Sequence, residues 1–368
     1  MKTYRYFFIL LLGCLLPACV HAPVPEPPGT RLVQVQLSLE DSCATKLGNL
    51  DYDLDEKPIT RWAWFVFDQD SGALVFKGLA QPGESVTRSF PTGVYDIFAI
   101  GNYPLTGRYA LDFDALFTRN QFFALKTGLE DNAPGELVMA GTTENGRLEV
   151  LQTSGDELLE ASLHLQRLVS KITLESVTRL FSSATLGARE MRLKHVYLTN
   201  VCTESRYARD FGTADLPVNA AEWYNAMGWH HAAGRTPLPA IDRLVGERGL
   251  DLPLVQEQTT GIGRSFYYFP NPMDESADSH AESWAGPRCT RLVLETELGG
   301  RTYYYQATLP REYAGVPVGR NAALSIRCTL TKPGSMDPEQ EIPGAMEVSF
   351  SSTVVNDWDI TYTVNEES

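Results

Sequence analysis

An acidic stretch carries the side chains that open a calcium-binding loop. Asp51, Asp53 and Asp55 alternate along the chain, as carboxylates do at the start of an EF-hand, where oxygen ligands surround the cation. That loop also needs Gly at its sixth place and Glu at its twelfth, and here these places hold Glu56 and Trp62. We therefore predict a solvated acidic loop and no metal site, with a loose calcium contact as the weaker alternative.

The other groups that could do chemistry are equally incomplete. His230 and His231 are adjacent, so on an extended segment their imidazoles would point to opposite faces. Gly261-Ile-Gly263 lacks the third glycine of a dinucleotide site, and the chain has no H-E-x-x-H, G-x-S-x-G or P-loop motif. Two carboxylates distant in sequence, as in glycoside hydrolases, stay open as an alternative, but no stretch points to them. The sequence predicts a protein that is not an enzyme and needs no cofactor.

Cys19 is the one residue with a clear chemical role. It follows a short basic start, an apolar run over Phe7–Leu16 and the small residue Ala18. This is the order of a secretory signal peptide, and the run is too short for a membrane-spanning helix, which needs ~20 apolar residues. The stretch LPAC that ends at Cys19 is similar to the lipobox of bacterial lipoproteins, in which the Cys thiol is acylated. We predict a signal peptide over residues 1–18 and lipidation at Cys19.

The residues after Cys19 fit a membrane tether better than the alternatives do. Cleavage before Cys14 would leave only about half of the expected apolar region, and a plain secreted protein would leave Cys19 unmodified. Residues 20–29 read VHAPVPEPPG, and proline-rich chains favour extended polyproline II. A lipoprotein Cys usually carries three acyl chains, and stable anchoring takes two or more. We predict a lipid anchor in a membrane, with residues 19–30 as a linker that holds the folded part above it.

The charge of the chain excludes several classes of partner. The formal net charge is −15, and it becomes −17 once Lys2 and Arg5 leave with the signal peptide. Such an acidic body would repel the phosphate backbone of nucleic acid. It would also not adsorb on anionic lipid, so the acyl chains must hold it to the membrane. With 43% hydrophobic residues, the chain can form ordinary cores.

The remaining cysteines are widely spaced and contain no C-x-x-C pair, which argues against a zinc site. An exported protein can form disulfides, and four cysteines allow three pairings. The favoured interpretation is four separate small hydrophobic side chains, one of them inward on a strand, with disulfide pairing left open. They are Cys43, Cys202, Cys289 and Cys328.

Short alternating segments fill residues 31–160 and predict a β-sandwich. Arg31–Glu40 alternates strictly, which predicts a half-buried strand, and Trp62–Phe67 is apolar throughout, which predicts a buried one. Helical spacing of apolar residues predicts one helix over Leu111–Leu125. The predicted strands are Arg31–Glu40, Trp62–Phe67, Ala73–Lys77, Ser85–Phe90, Gly93–Asn102, Leu137–Ala140 and Leu148–Leu151.

Residues 161–368 predict a second β-sandwich, so the fold class is all-β with two tandem domains joined near residue 160. Ala161–Ser176 alternates and is predicted to open this half as a single strand. Residues 203–290 are rich in Pro, Gly, Trp and His and predict an irregular insert, with Ser265–Phe269 as its clearest strand. Regular strands are predicted at Met191–Val201, Arg291–Glu297, Arg301–Leu309, Ala322–Thr331, Met346–Ser351 and Asp359–Val364.

Aromatic residues concentrate in or beside this insert. Trp223, Trp229 and Trp284, with Tyr267-Tyr268, could stack on a sugar or dock a host or bacterial surface protein if they are exposed. The favoured interpretation is a satellite hydrophobic cluster under a long loop. A glycan-binding surface lipoprotein is therefore the alternative from a different functional class.

Five sequence blocks occur in a recognisable order. In Val318–Pro338, Arg320-Asn321 introduces an alternating strand, and Gly334-Ser335 followed by Asp337-Pro338 makes a turn. Together the blocks resemble the fimbrillin (Mfa-like) family. The other blocks are Phe65–Gly72, Gly93–Ile97, Gln166–Ile172 and Val354–Trp358.

The resemblance implies a type V pilus subunit, which is an exported lipoprotein precursor of two β-sandwich domains. In that family an arginine-specific protease removes the first strand of shaft subunits, and a strand from the neighbouring subunit fills the groove. Here the strand at risk is Arg31–Glu40, and Arg61 is the nearest following arginine. Because Arg61 abuts the apolar run, we expect the fold to shield it, which favours an uncleaved anchor subunit. A tip adhesin is the nearest alternative.

The resemblance also implies the partners. We expect other pilus subunits to pair with the last strands, Met346–Val364, by strand addition. We expect the outer membrane to hold the lipid at Cys19. The predicted location is the cell surface, as part of a fimbrium.

Overall fold

The computed structural model describes residues 32–39, 59–81, 83–133, 135–151, 158–208, 223–224, 244–271, 289–310, 312–313, 316–338 and 340–352. The predictions for Cys19, Cys43, Asp51–Asp55, Trp229, Trp284 and Asp359–Val364 lie outside these residues, as do those for Cys14, His230-His231 and the proline-rich linker. Strands make up 59% of the structure and helices 6%, so the all-β prediction is confirmed.

The first half of the described chain is built around one eight-stranded sheet. Its neighbours run in the order β3-β2-β5-β7-β9-β1-β4, and β8 pairs with β5. A short strand, β6, lies outside this sheet. The nine strands are β1 (Leu32–Leu39), β2 (Trp62–Asp68), β3 (Leu74–Ala80), β4 (Val86–Pro91), β5 (Gly93–Gly101), β6 (Lys126–Gly128), β7 (Met139–Thr142), β8 (Arg147–Val150) and β9 (Leu159–Arg167).

Strand β2 is buried on both faces, which explains why its sequence is apolar throughout. Trp62, Trp64 and Val66 contribute to the core of the first sheet, together with β1. The alternate residues Ala63, Phe65 and Phe67 contribute to a second cluster that extends into the other half of the chain. The sequence prediction of a buried strand here is confirmed.

The predicted helix over Leu111–Leu125 is wrong for most of its length. The helix α1 spans only Arg119–Ala124, with Thr118 as its N-cap. Asp112 accepts hydrogen bonds from the backbone N–H groups of Asp114 and Ala115, which offers the backbone a turn in place of a helix. Among the residues that the structure describes, no helix is long and apolar enough to cross a membrane.

The second half contains two four-stranded sheets, in the orders β16-β10-β21-β22 and β15-β11-β17-β18. Their buried residues belong to one cluster, as in a sandwich. The elements are β10 (Ser170–Arg179), the short helix α2 (Ala184–Gly187), β11 (Met191–Thr199), β12 (Val201–Cys202), β13 (Glu204–Arg206), β14 (Trp223–Tyr224), β15 (Gly246–Pro253), β16 (Gln258–Tyr268), β17 (Arg291–Leu298), β18 (Arg301–Thr308), β19 (Glu312–Tyr313), β20 (Val316–Pro317), β21 (Ala323–Leu330) and β22 (Met346–Ser352).

The single strand predicted over Ala161–Ser176 is wrong, because the structure divides it into β9 and β10. Strand β9 pairs with β1 and β7 in the first sheet, whereas β10 pairs with β16 and β21 in the second half. The residues between them, Leu168 and Val169, are both buried. The buried positions shift from odd to even numbers at this point, and such a phase change marks a break in a strand. Ala161, which was predicted to open the second half, therefore lies in strand β9 of the first sheet.

The prediction that residues 203–290 contain only scattered short strands is also wrong. Strands β15 and β16 lie in this range and form one edge of each sheet in the second half. The prediction failed because β15 reads GERGLDLP and β16 begins QTTGIGR, with glycine and polar residues instead of clean alternation. Such residues are common on exposed edge strands, where they discourage pairing with other chains.

The turn after β21 joins the two sheets of the second half. The backbone of Ser335 exchanges hydrogen bonds with Tyr304 on β18, with N–O distances of 2.7 and 3.0 Å. Gly334 lies so close that an added Cβ would come within 2.2 Å of the Tyr304 carbonyl oxygen, so only glycine fits there. This contact explains why the turn at Gly334-Ser335 requires glycine.

Candidate functional site

The first strand, β1, fills a groove in the N-terminal sheet with its apolar side chains. Val33, Val35 and Leu37 are at most 5% exposed and belong to the core that contains Trp62, Trp64 and other residues of the sheet. Burial of each such side chain is worth about 1.5–3 kcal/mol relative to exposure. The predicted half-buried strand over Arg31–Glu40 is confirmed.

Both edges of β1 are paired with other strands. It lies parallel to β9, with Val35 opposite Leu159, and antiparallel to β4, with Val33 opposite Phe90. Removal of β1 would therefore uncover two strand edges as well as the apolar floor of the groove. Such edges present unpaired N–H and C=O groups to any extended chain of complementary sequence.

The guanidinium of Arg61 is held at the start of β2 by four contacts, one of them a hydrogen bond from its Nη1 to the Thr60 hydroxyl at 3.2 Å. Its Nε donates to the Tyr103 carbonyl oxygen at 2.8 Å, and its Nη1 donates to Oε1 of Glu136 at 2.5 Å. The cation also lies 5.7 Å from the centroid of the Tyr103 ring. The side chain is 26% exposed, so a protease would have to break these contacts to bind it.

The backbone around Arg61 is held as firmly as its side chain. Asn102 donates its backbone N–H to the Arg61 carbonyl oxygen at 2.9 Å, and its Oδ1 accepts from the Thr60 N–H at 2.8 Å. The next residue, Trp62, pairs with both β3 and β5. The Arg61–Trp62 peptide bond thus enters a central strand, where a protease cannot bind it as an extended substrate. Sequence reasoning identified Arg61 but missed Glu136 and Asn102, because no local pattern connects them.

A second buried polar cluster lies where the two halves meet. Strand β6 of the first half pairs with β13 of the second, with Lys126 opposite Arg206. Glu204 of β13 is 8% exposed and accepts hydrogen bonds from the Lys126 ammonium and the Tyr109 hydroxyl. Burial would raise the pKa of the Glu204 carboxyl, but these two hydrogen bonds and the positive charges of Lys126 and Arg108 together outweigh it and hold that pKa below its usual value.

Arg320 and Asn321 belong to the block that resembles the fimbrillin family, and they precede strand β21. They stabilise this junction by holding β13 and the segment between β9 and β10. The Arg320 guanidinium donates to the carbonyl oxygens of Tyr207 and Arg206, at 3.1 and 2.5 Å, and to the Ser205 hydroxyl at 2.9 Å. Asn321 has φ of 60° and donates its N–H to the Val169 carbonyl oxygen at 3.0 Å. Both residues thus hold segments distant in sequence. Their role in the junction could not be foreseen from the strand pattern.

The two halves also share one hydrophobic core. Phe65 on β2 and Phe122 on α1 belong to the same cluster of buried side chains as Val169, Ile172 and residues of both later sheets. The rings of Phe65 and Phe122 lie with their centroids 5.1 Å apart. This cluster, together with the polar junction, makes the halves one packed unit.

The remaining candidate residues do not form a reactive site in the described part of the chain. Burial raises the pKa of the Cys328 thiol to about 12 and raises that of Cys202 as well, so neither is a nucleophile at neutral pH. Cys202, Cys289 and Cys328 are all buried and form no disulfide with one another. No described group of three His, Cys, Asp or Glu side chains could hold a metal ion.

The aromatic surface predicted for ligand binding is only partly described. Tyr267 and Tyr268 are buried, at 1% and 3% exposure, so neither can stack on a sugar. The backbone of Trp223 pairs with Cys202. Contact of Trp223, Trp229 and Trp284 with a glycan or partner protein stays a prediction.

Comparison with known proteins identifies the fold. No protein-family model and no curated protein matches the sequence. The chain is similar to a candidate cell adhesion protein from Parabacteroides distasonis, with a TM-score of 0.59 and 16% identity over 87% of this chain and 98% of that chain. It is also similar to a fimbrilin from Porphyromonas gingivalis, with a TM-score of 0.57 and 15% identity over 87% and 95%. The resemblance inferred from the sequence blocks is thus confirmed at the level of the fold.

We expect replacement of Arg320 by Ala to destabilise the junction. The variant loses three charge-assisted hydrogen bonds of a partly buried side chain, which should lower the free energy of unfolding by about 2–4 kcal/mol. Arg327→Ala is the matched control, because the Arg327 side chain is 64% exposed and, among the described residues, forms its ion pair with Glu175 at the surface. Its effect should stay within about 0.5 kcal/mol in urea titrations followed by circular dichroism. Equal effects of the two variants would contradict the assignment.

Proposed function

We propose that this protein is a structural subunit of a cell-surface pilus, held in the outer membrane by lipid at Cys19. The observation that carries the proposal is the seating of β1 in its own groove, within a fold shared with a fimbrilin. In pilus assembly by strand addition, such a groove is the place where subunits exchange strands. The signal peptide, Cys19 and the proline-rich linker supply the membrane tether.

The subunit works by pairing and not by catalysis. The charged residues at its two polar clusters are already engaged in structural contacts. Arg61 binds Glu136 and the Tyr103 carbonyl oxygen, and Lys126 binds Glu204. An enzyme would need a nucleophile or a general base directed at a cleft, and these groups are directed at each other.

Within the pilus, we infer that this chain is the anchor. A shaft subunit would have to lose β1 by cleavage after an arginine, and Arg61 is the first arginine after that strand. The contacts of Arg61 and the pairing of Trp62 on both sides oppose cleavage there. A subunit that keeps β1 also keeps its link to Cys19. No contact of the described residues favours the alternative of a tip adhesin or a glycan-binding lipoprotein.

The last described strand, β22, supports the proposed contact to the next subunit. Within the described residues it is the terminal strand of the sheet β16-β10-β21-β22. Its apolar side chains Met346, Val348 and Phe350 pack on the core but are only half-buried. We propose that residues 353–368, which follow β22 directly, pair with a neighbouring subunit.

We expect replacement of Cys19 by Ala to release the pilus from the cell. Without the thiol no acyl chain can be attached, and the acidic body has no other means of holding the membrane. Immunoblots of membrane and medium fractions should show loss of the subunit, and of the pili it holds, from the membrane. Cys14→Ala is the matched control, because it removes a neighbouring thiol and should leave anchoring unchanged.

Two results would overturn the anchor assignment. If the Cys19→Ala variant is still found in the outer-membrane fraction, lipid at Cys19 does not hold the protein. If it is released while pili remain attached to the cells, the protein is a lipoprotein but does not anchor the pilus.

We expect deletion of residues 359–368 to abolish pairing with other subunits. The deletion removes the alternating segment Asp359–Val364 and leaves both described cores intact. Co-purification of pilus subunits should therefore be lost while the thermal unfolding of the protein is unchanged. Deletion of Glu366–Ser368 alone is the control and should retain pairing. Pairing that survives the longer deletion would exclude this segment as the contact.

A further inference from the structure

A chain held by its N-terminal linker transmits any pull to β1 first. The linker enters β1 at Leu32, and β1 is held in the sheet by β9 on one side and β4 on the other. The pilus role proposed above makes this direction of pull the relevant one, since the membrane would hold one end and the pilus the other. The geometry of the strands decides how the pull is resisted.

Strands β1 and β9 begin at the same end of the sheet. They are parallel, with Val35 opposite Leu159 and Leu39 opposite Leu163. Beyond this paired region β9 continues to Arg167, away from the point where the linker enters. A pull on Leu32 and a pull on Arg167 therefore act on the two strands in opposite directions along their common axis.

The pull from the second half reaches β9 along the covalent chain. Only Leu168 and Val169 separate β9 from β10, and both are buried in the core shared by the two halves. Strand β10 then runs through the centre of its sheet to Arg179. The chain bends at these two residues, but because they alone join the two strands, tension on β10 arrives at β9 without unfolding of the second half.

We propose that β1 is a mechanical clamp that carries tension between the N-terminal tether and the body of the protein. Strands pulled from opposite ends load all of the hydrogen bonds between them at once, whereas strands pulled from the same end break their bonds one after another. The clamp comprises the five residue pairs that β1 forms with β9. It gives β1 a function beyond closing the core.

The side chains of β1 add resistance to sliding. A slip by one residue would turn Val33, Val35 and Leu37 out of the core and expose them to water. A slip by two residues toward the linker would bring Val35 to the place of Val33 and would carry Val33 out of the core. Sliding therefore costs hydrophobic free energy as well as hydrogen bonds.

The test compares two pulling directions on the same molecule in an optical trap. Clickable non-natural amino acids are introduced at position 30 and at either Leu180 or Leu158, which are 51% and 42% exposed. The pair 30/180 loads β1 and β9 from opposite ends, and the pair 30/158 loads them from the same end. At a fixed force, we expect the folded state to last at least about 100-fold longer with 30/180, a barrier difference of about 2.7 kcal/mol. Equal lifetimes would overturn the proposal.

A pair of substitutions in β1 shows whether this strand sets the lifetime. Val35→Ala removes a fully buried side chain of the clamp, and Gln34→Ala changes its exposed neighbour. With handles at 30/180, we expect Val35→Ala to shorten the lifetime at least about tenfold, a barrier change of about 1.4 kcal/mol, and Gln34→Ala to leave it unchanged. If neither variant changes the lifetime, another element yields first and the proposal is overturned.

These measurements are independent of the anchor assignment. They use the purified chain without lipid, so equal lifetimes in the two pulling directions would not change the interpretation of the Cys19→Ala experiment. Conversely, a strong clamp would stand even if the protein proved not to anchor a pilus.

Discussion

The N-terminal half depends on the insertion of β1 between β9 and β4. Its three buried side chains complete a core that also contains Trp62, Trp64 and Phe90. Because a long stretch of chain separates β1 from β2, β1 is held in the sheet by strand pairing and side-chain burial more than by its covalent link to β2. The same features would let another strand of similar pattern occupy the groove, which is the physical basis of assembly by strand addition. In the proposed function, retention of the first strand and pairing in trans would compete for this groove.

The junction makes the two halves act as one unit. Pairing of β6 with β13, the buried Glu204 and the donors of Arg320 hold segments that are distant in sequence. A charge buried without a partner would cost several kcal/mol, so the close approach of Lys126 and Tyr109 to Glu204 is necessary for the halves to meet here. The role proposed above, which places the protein between a membrane and a filament, would need such a rigid connection.

Sequence patterns predicted those parts of the fold in which local alternation controls burial. Strands β1 and β21 were found where the period of two is clean, and β2 was found from its continuous apolar run. The prediction of a single strand across residues 161–176 failed because the buried positions change phase at Leu168-Val169. The prediction of an irregular insert failed because β15 and β16 are edge strands with polar sequences. Arg61 could be identified from its place after β1, but its partners Glu136 and Tyr103 are brought close only by the folded sheet.

The central claim is that the mature protein keeps its first strand and its lipid. The most direct test is the intact mass of the protein purified from outer membranes, combined with mapping of its N-terminus. We expect an acylated Cys19 followed by an uninterrupted chain through Arg61 into β2. An unlipidated chain that starts after Arg61, or after another basic residue between β1 and β2, would contradict the claim and identify a polymerising subunit activated by proteolysis.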